Sequence, residues 1–304
     1  YQRVREVIAE LGYTSSLAAR SLRSHRTGVI GLIMPELEDS FCIQVIKGIN
    51  QAIIAFDYDL LAYTSGSSKR PSKAEREQHY VSLLNGSITD GVILVTPAAT
   101  HFSTTAPVVA VDPNRDCPGC ISVIAANHAG AVSAMEYLIS LGHTRIGFIT
   151  GRPDLLSGEQ RLAGYRMALE QAGLPLDPNL IATGDFTRAA GYECTKRLLS
   201  LAQPPTAIFA ANDQSAFGAI DAARARGRRV PDDLSVIGFD NIPEATYSNP
   251  PLTTVDQFID RMGYAATELL VRLIRGQPSA ESVCEMPTEL VIRDSCRPVT
   301  NHRG

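Results

Sequence analysis

Tryptophan is absent, and aromatic residues make up only 6% of the 304 residues. Any ring on which a ligand stacks must therefore come from Phe or Tyr. No apolar run approaches the roughly 18 residues that cross a bilayer. The first eleven residues carry Arg3, Arg5, Glu6 and Glu10 without an unbroken apolar core, so no secretory leader is read there. Also missing are the G-x-S-x-G nucleophile elbow, the G-x-x-x-x-G-K-[ST] phosphate loop and the G-x-G-x-x-G dinucleotide fingerprint. Of the six histidines, His79, His101, His128 and His143 have no acid at catalytic spacing, and they read as surface or helix-end residues. His143 follows Gly142, where a cation suits a helix end. Neither an enzyme nor a cofactor is expected.

Six cysteines in a chain of this size do not make a disulfide framework. Cys117 and Cys120 form a C-x-x-C within DCPGC, a pattern shared by redox pairs and zinc half-sites. No second C-x-x-C and no histidine pair at ligand spacing accompanies it, so no metal is expected. The segment reads as a Pro-Gly turn flanked by thiols, reduced as cytoplasmic thiols are by default.

What is present is an ordinary globular composition, 44% apolar and 20% charged, at a length that suits two or three domains. The net charge of −4 argues against general affinity for nucleic acid. Residues 1–26, however, hold five arginines (Arg3, Arg5, Arg20, Arg23, Arg26) against two glutamates. A basic N-terminal segment on an acidic body points to a polyanion partner at that end alone. Because the first residue is Tyr1 and not Met, the chain is expected to be part of something longer.

From Val29 onward, β-branched runs alternate with stretches of helical length and period. The runs are VIGLIMP from Val29, DLLAYTS from Asp59, GVILVT from Gly91 and VVAVD from Val108. A second series comprises RIGFITG from Arg145, LIATGDF from Leu180, AIFAAN from Ala207 and SVIGFD from Ser235. They read as strands buried on both faces. Residues 127–141 read as a helix ended by Gly142, and residues 160–172 as one ended by Gly173. The alternation occurs twice, with a break near ISVIAAN from Ile121. An α/β fold with two doubly wound parallel-sheet subdomains is expected, enclosing a ligand between facing strand ends. Ahead of this body, Val4, Val7, Ile8 and Leu11 make one face of a helix that stops at Gly12, and residues 17–24 are a second short candidate.

The stretch REVIAELGYTSSLAARSLRSHRTGVIGLIMP from Arg5, with LISLGHTRIGFITG, RLAGYRMAL, GDF, ANDQSAFGAI, VPDDLSVIGFDN and PPLTTVDQ in that order, resembles the LacI/GalR family along nearly the whole chain. The resemblance implies a periplasmic-binding-protein-like body and a cytoplasmic, homodimeric DNA-binding repressor without a membrane partner. Residues 1–26 would be the remnant of a helix-turn-helix domain plus hinge helix. Residues 27–125 with 257–285, and 126–256 with 286–304, would form the two effector-binding subdomains. On the hinge, Leu22 would wedge into the minor groove of double-stranded operator DNA, with Ala19 on the same face and Arg20 and Arg23 against phosphates. The reading helix is expected upstream of Tyr1, so the chain as given should bind DNA poorly.

In the cleft the resemblance nominates Phe41 and Phe186 as rings flanking an effector, and Asp112, Arg161, Asn212, Asp240 and Gln257 as partners for ligand hydroxyls. Ser157 sits on or beside the helix face of Arg161. Each residue alone has a plainer reading: Asp112 and Asp240 as turn caps, Arg161 as a solvated helix residue, Phe186 as core. Two departures from the family pattern touch the cleft, Ala126 ahead of Asn127, and Ser40 and Cys42 around Phe41. The expected effector is a sugar; a purine or a phosphorylated sugar is the alternative, and a periplasmic sugar-binding protein a more distant one that the basic residues 1–26 oppose.

Overall fold

The computed structural model describes residue 3 and residues 26–66, 72–85, 88–115, 117, 119–277 and 281–299. The two N-terminal helices expected from the sequence, and with them Ala19, Arg20, Leu22 and Arg23, lie outside the described residues.

The chain runs through β1 (Val29–Met34), α1 (Ser40–Phe56), β2 (Asp59–Thr64), α2 (Lys73–Leu84), β3 (Gly91–Val95), β4 (Val108–Val111) and β5 (Ile121–Ala125). It continues through α3 (Asn127–Ser140), β6 (Ile146–Ile149), α4 (Leu156–Gln171), β7 (Ile181–Ala182), α5 (Arg188–Leu198), β8 (Ala207–Ala210), α6 (Asp213–Ala225) and β9 (Ser235–Asp240). The last elements are α7 (Glu244–Tyr247), β10 (Thr253–Asp256), α8 (Ile259–Ile274), β11 (Val283–Met286) and β12 (Glu289–Val291). Two six-stranded sheets result, in the orders β11-β5-β4-β3-β1-β2 and β12-β10-β9-β8-β6-β7. All pairings are parallel except β12 against β10.

The chain passes from one lobe to the other three times: after β5, after β10, and between β11 and β12. Segment 121–127, read from the sequence as the break, is therefore mostly strand β5, and the crossing follows it. Interior strands β1, β3, β4, β8 and β9 are buried throughout, as helices on both faces require. Strand β2 departs from this: it is the last strand of its sheet and mixes exposed with half-buried residues. Of the run from Leu180, only Ile181 and Ala182 pair as strand, because Leu180 ends a 3-10 turn (Pro178–Leu180) and Gly184 to Phe186 continue as loop.

Crossing β10 to α8 returns the chain to the first lobe, where α8 lies against α1. Their backbones meet closely at Gly48 and Gly263. A Cβ at Gly48 would sit 1.7 Å from the Asp260 carbonyl oxygen, and one at Gly263 2.2 Å from that of Val45. Only glycine permits this approach.

His143 corrects the expectation of a charged helix end. It is 3% exposed, with Nε2 3.1 Å from the Arg297 carbonyl oxygen and 3.0 Å from Ser235 Oγ, and Nδ1 2.9 Å from Thr206 Oγ1. A carbonyl only accepts, so Nε2 carries the proton and Nδ1 accepts from the Thr206 hydroxyl. Burial holds the imidazole below its ordinary value of 6.5, against a smaller upward pull from the Arg297 carbonyl. The unfolded chain therefore binds this proton more readily. The contribution of His143 is complete above about pH 6.5 and is lost as pH falls through the depressed folded value. A His143→Gln variant should lose part of the decline in stability between about pH 6.5 and 5, measured by urea midpoints; an unchanged slope would contradict a neutral buried His143.

A second correction concerns the thiols: Cys117 and Cys120 are joined in a disulfide, whereas Cys42, Cys194, Cys284 and Cys296 are free.

Candidate functional site

The carboxyl ends of both sheets face one cavity of about 290 Å³ between the lobes. All eight sequence-nominated residues line it: Phe41, Asp112, Ser157, Arg161, Phe186, Asn212, Asp240 and Gln257. Glu36, Asp39, Thr96, Arg152, Leu155 and Asp185 line it too and were not singled out. The expectation that facing strand ends enclose the ligand located these segments but not these side chains.

Strand ends here are conformationally unusual. Thr96, Asp112, Phe186 and Asp240 all have positive φ, at 44°, 47°, 72° and 120°. Non-glycine residues rarely adopt such angles, and they collect at sites where a side chain must be aimed against local preference. Phe186 shows what this achieves. Its ring lies over Gly151, where a Cβ would fall 1.9 Å from Phe186 Cζ. A Gly151→Ala substitution should push the ring off this wall and weaken ligand binding by roughly 1–3 kcal/mol, the size of a lost stacking contact with its steric strain. Titration calorimetry with a ligand of the parent protein checks this; equal affinity would mean that the ring is no wall of the site.

Arg161 is not a solvated helix residue. It is 3% exposed, on α4. Its Nε donates to Asn127 Oδ1 at 2.9 Å, Nη1 to the Ala211 carbonyl at 2.6 Å, and Nη2 to Gln257 Oε1 at 3.4 Å. Asp240 Oδ1 lies 3.6 Å from Nη1, and the Phe239 ring centroid 3.7 Å from the guanidinium carbon. Asn127 follows the first interlobe crossing and Gln257 the second, so this one side chain ties both crossings to the floor of the cleft. Gln257 Nε2 in turn donates to Asp240 Oδ1 at 2.5 Å.

The carboxylates are desolvated. Burial pushes Asp240 well above the ordinary carboxylate value, with the Arg161 guanidinium pulling back and Asp213 adding repulsion. Burial also raises Asp112, against the pull of Arg161 and of the Ser157 hydroxyl, which donates to Asp112 Oδ2 at 3.3 Å. Asp213, fully buried behind Asp240, is pushed up to about 7, mainly by burial and against hydrogen bonds from Thr254 Oγ1 and the Ile242 amide. Asn212 is a helix cap, as plain structure would have it: Oδ1 accepts from the Ser215 amide, and Nδ2 donates to the Phe186 carbonyl, each at 3.0 Å.

The lobes touch on either side of the cavity. On one side Ser157 meets Asp112, and the Leu156 amide donates to the Asn114 carbonyl at 3.1 Å. On the other, Ser40 Oγ lies 3.4 Å from both Glu244 Oε1 and Gln214 Nε2. Ala126 gives α3 no side-chain cap. Asn127 instead uses its amide group on the Ala125 carbonyl and on Gln160 Oε1. Among the described residues no cluster of side chains could hold a metal.

Comparison with known proteins agrees with this architecture. The sequence profile of the periplasmic binding protein-like domain matches residues 135–296. The HTH-type transcriptional regulator DegA of Bacillus subtilis (strain 168) is 34% identical, over 98% of this chain and 89% of its own length. The transcriptional regulator CelR–cellobiose complex is similar at a TM-score of 0.78 and 31% identity, over 97% of this chain and 90% of that one. The lac repressor dimer bound to operator and the anti-inducer ONPF is similar at a TM-score of 0.81 and 25% identity, over 94% of this chain and 99% of that one. A small-molecule cleft between two lobes, in a chain of this likeness, makes the protein a DNA-binding transcriptional regulator under effector control and a member of the LacI/GalR family.

Proposed function

We propose that this regulator is a cytoplasmic, homodimeric repressor whose effector is a neutral sugar held in the interlobe cleft. One observation carries the choice of ligand: five carboxylates (Glu36, Asp39, Asp112, Asp185, Asp240) and two guanidiniums (Arg152, Arg161) surround the cavity. Neither cation is free for an anion. Arg161 is engaged by protein acceptors at Nε, Nη1 and Nη2, and Arg152 is paired with Asp154 through Nε at 3.0 Å and Nη2 at 2.5 Å. A phosphorylated sugar would meet uncompensated repulsion. A polyol offers hydroxyl donors to Asp112 and Asp240 and C–H faces to Phe41 and Phe186. The CelR complex, whose ligand is cellobiose, supports the same class.

In this reading, sugar shifts the population of the closed cleft and so the relative placement of two hinge segments, each presenting Ala19, Arg20, Leu22 and Arg23 to operator DNA. The operator-bound dimer of the lac repressor supports two such segments acting together. A thermal-shift panel of mono- and disaccharides, sugar phosphates and purine bases tests the ligand. A neutral sugar at a hundredfold excess over its Kd should stabilise the fold by about 2.7 kcal/mol. Stabilisation by purines alone would overturn the sugar reading in favour of a purine between the Phe rings.

A further inference from the structure

The C-P-G-C motif plays no part in the cleft chemistry, yet it closes the loop that supplies it. Residues 112–120 connect β4 to β5. At one end Asp112 lines the cleft with its left-handed backbone. Two residues on, the Asn114 amide donates to the Pro97 carbonyl at 3.2 Å, and its carbonyl accepts the Leu156 amide from the opposite lobe. At the other end Cys117 and Cys120 are bonded, with the Cys120 amide on the Cys117 carbonyl at 3.0 Å and exposed Gly119 between them at φ 88°. Two of the interlobe contacts therefore hang on a loop whose far end is fixed by a covalent clasp.

We propose that Cys117 and Cys120 are a thiol–disulfide exchange site through which a dithiol reductant weakens the closed cleft. One thiolate of the reductant attacks a sulfur of the pair, and the other sulfur leaves and takes up a proton. The second thiol of the reductant then resolves the mixed disulfide. The pair gains two electrons and two protons, and the reductant leaves as a disulfide. Both cysteines are mostly buried, at 7% and 8% exposure, so exchange proceeds through opening of this one surface turn. Once the clasp is open, Asn114 keeps only single backbone hydrogen bonds, to Pro97 and Leu156, while Asp112 stays bonded to β5 through its amide on the Val123 carbonyl at 2.9 Å. The consequence for effector affinity rests on the reading of Asp112 as a ligand; the test does not.

Protein oxidised with diamide and protein reduced with dithiothreitol are alkylated after denaturation and weighed, and native amide exchange is followed in the peptide spanning residues 154–158. Oxidised protein should expose four thiols and reduced protein six. Protection of the Leu156 amide should fall about tenfold on reduction, the equivalent of one net hydrogen bond. The Thr150 amide, bonded to the Ala182 carbonyl within the second lobe, should not change. Cys117→Ser/Cys120→Ser should exchange like the reduced protein under both conditions; if that variant does not fold, the oxidised and reduced parent still decide. Six thiols after diamide, or equal Leu156 exchange in both forms, would overturn the proposal. Absence of sugar binding alongside a redox-dependent Leu156 amide would remove the sugar and leave the exchange site standing.

Discussion

Replacing Arg161 with Ala should lower stability by about 3–5 kcal/mol, read as a fall in the urea midpoint, the range seen when one partner of a buried ion pair is removed. The reason lies in what remains behind. Asn127 Oδ1, the Ala211 carbonyl and Gln257 Oε1 each lose a donor, and the Asp240 carboxylate loses its counter-charge. Asn127 and Gln257 are as buried as Arg161 itself, so their freed acceptors are poorly placed to be satisfied by solvent. The Phe239 face also loses the guanidinium stacked on it. Arg161→Lys should fail nearly as badly, because an ammonium cannot direct donors to three acceptors spread around a planar fork. Arg161→Met should restore part of the loss by filling volume. A midpoint that stays within 1 kcal/mol of the parent in Arg161→Ala would show that the two interlobe crossings are held by other contacts.

The sequence exposed the strands whose burial leaves an unbroken aliphatic signature, such as β1 (VIGLIM) and β3 (GVILV). It hid β11 (VCEM) and β12 (ELV), which lie at sheet edges, carry glutamates on their open sides and come from the far end of the chain. Strand β10 (TTVD) escaped for a different reason: two of its four residues are buried threonines, which look like turn residues in a one-dimensional reading. The cleft residues were legible because doubly wound sheets place function at strand ends, and the motifs of the family name those ends. Physical roles were not legible. That Arg161 is engaged by its own chain, that His143 is neutral, and that Gly151 makes room for Phe186 all depend on neighbours 34 to 154 residues away in sequence, such as Asn127 for Arg161 and Arg297 for His143. The disulfide was missed because redox state was inferred from compartment, whereas the local turn brings the two sulfurs together.

Asp240→Asn should reduce affinity for the sugar that gives the largest thermal shift by about 10- to 100-fold, the size of a lost charge-assisted hydrogen bond. The substitution is close to isosteric. It keeps an acceptor for Gln257 Nε2, and asparagine tolerates positive φ better than most residues, so the cleft should keep its shape. Asp112 and Asp213 still face the Arg161 guanidinium, which limits the cost of the lost counter-charge. The pH dependence separates a ligand role from a structural one. Burial raises the Asp240 carboxyl above its ordinary 3.8, so the folded chain keeps this proton when the unfolded chain has released it. Its contribution to stability is present below the ordinary value and lost as pH rises through the window above it. The melting temperature of the parent minus that of the variant should therefore fall as pH rises above about 4. A carboxylate that only braced the hinge would give this pH signature without any change in sugar affinity measured by calorimetry. Unchanged affinity would take Asp240 out of the ligand's reach, whereas loss of affinity with the signature intact assigns one group both tasks: gripping the ligand, and holding through Gln257 the crossing on which the lobes close.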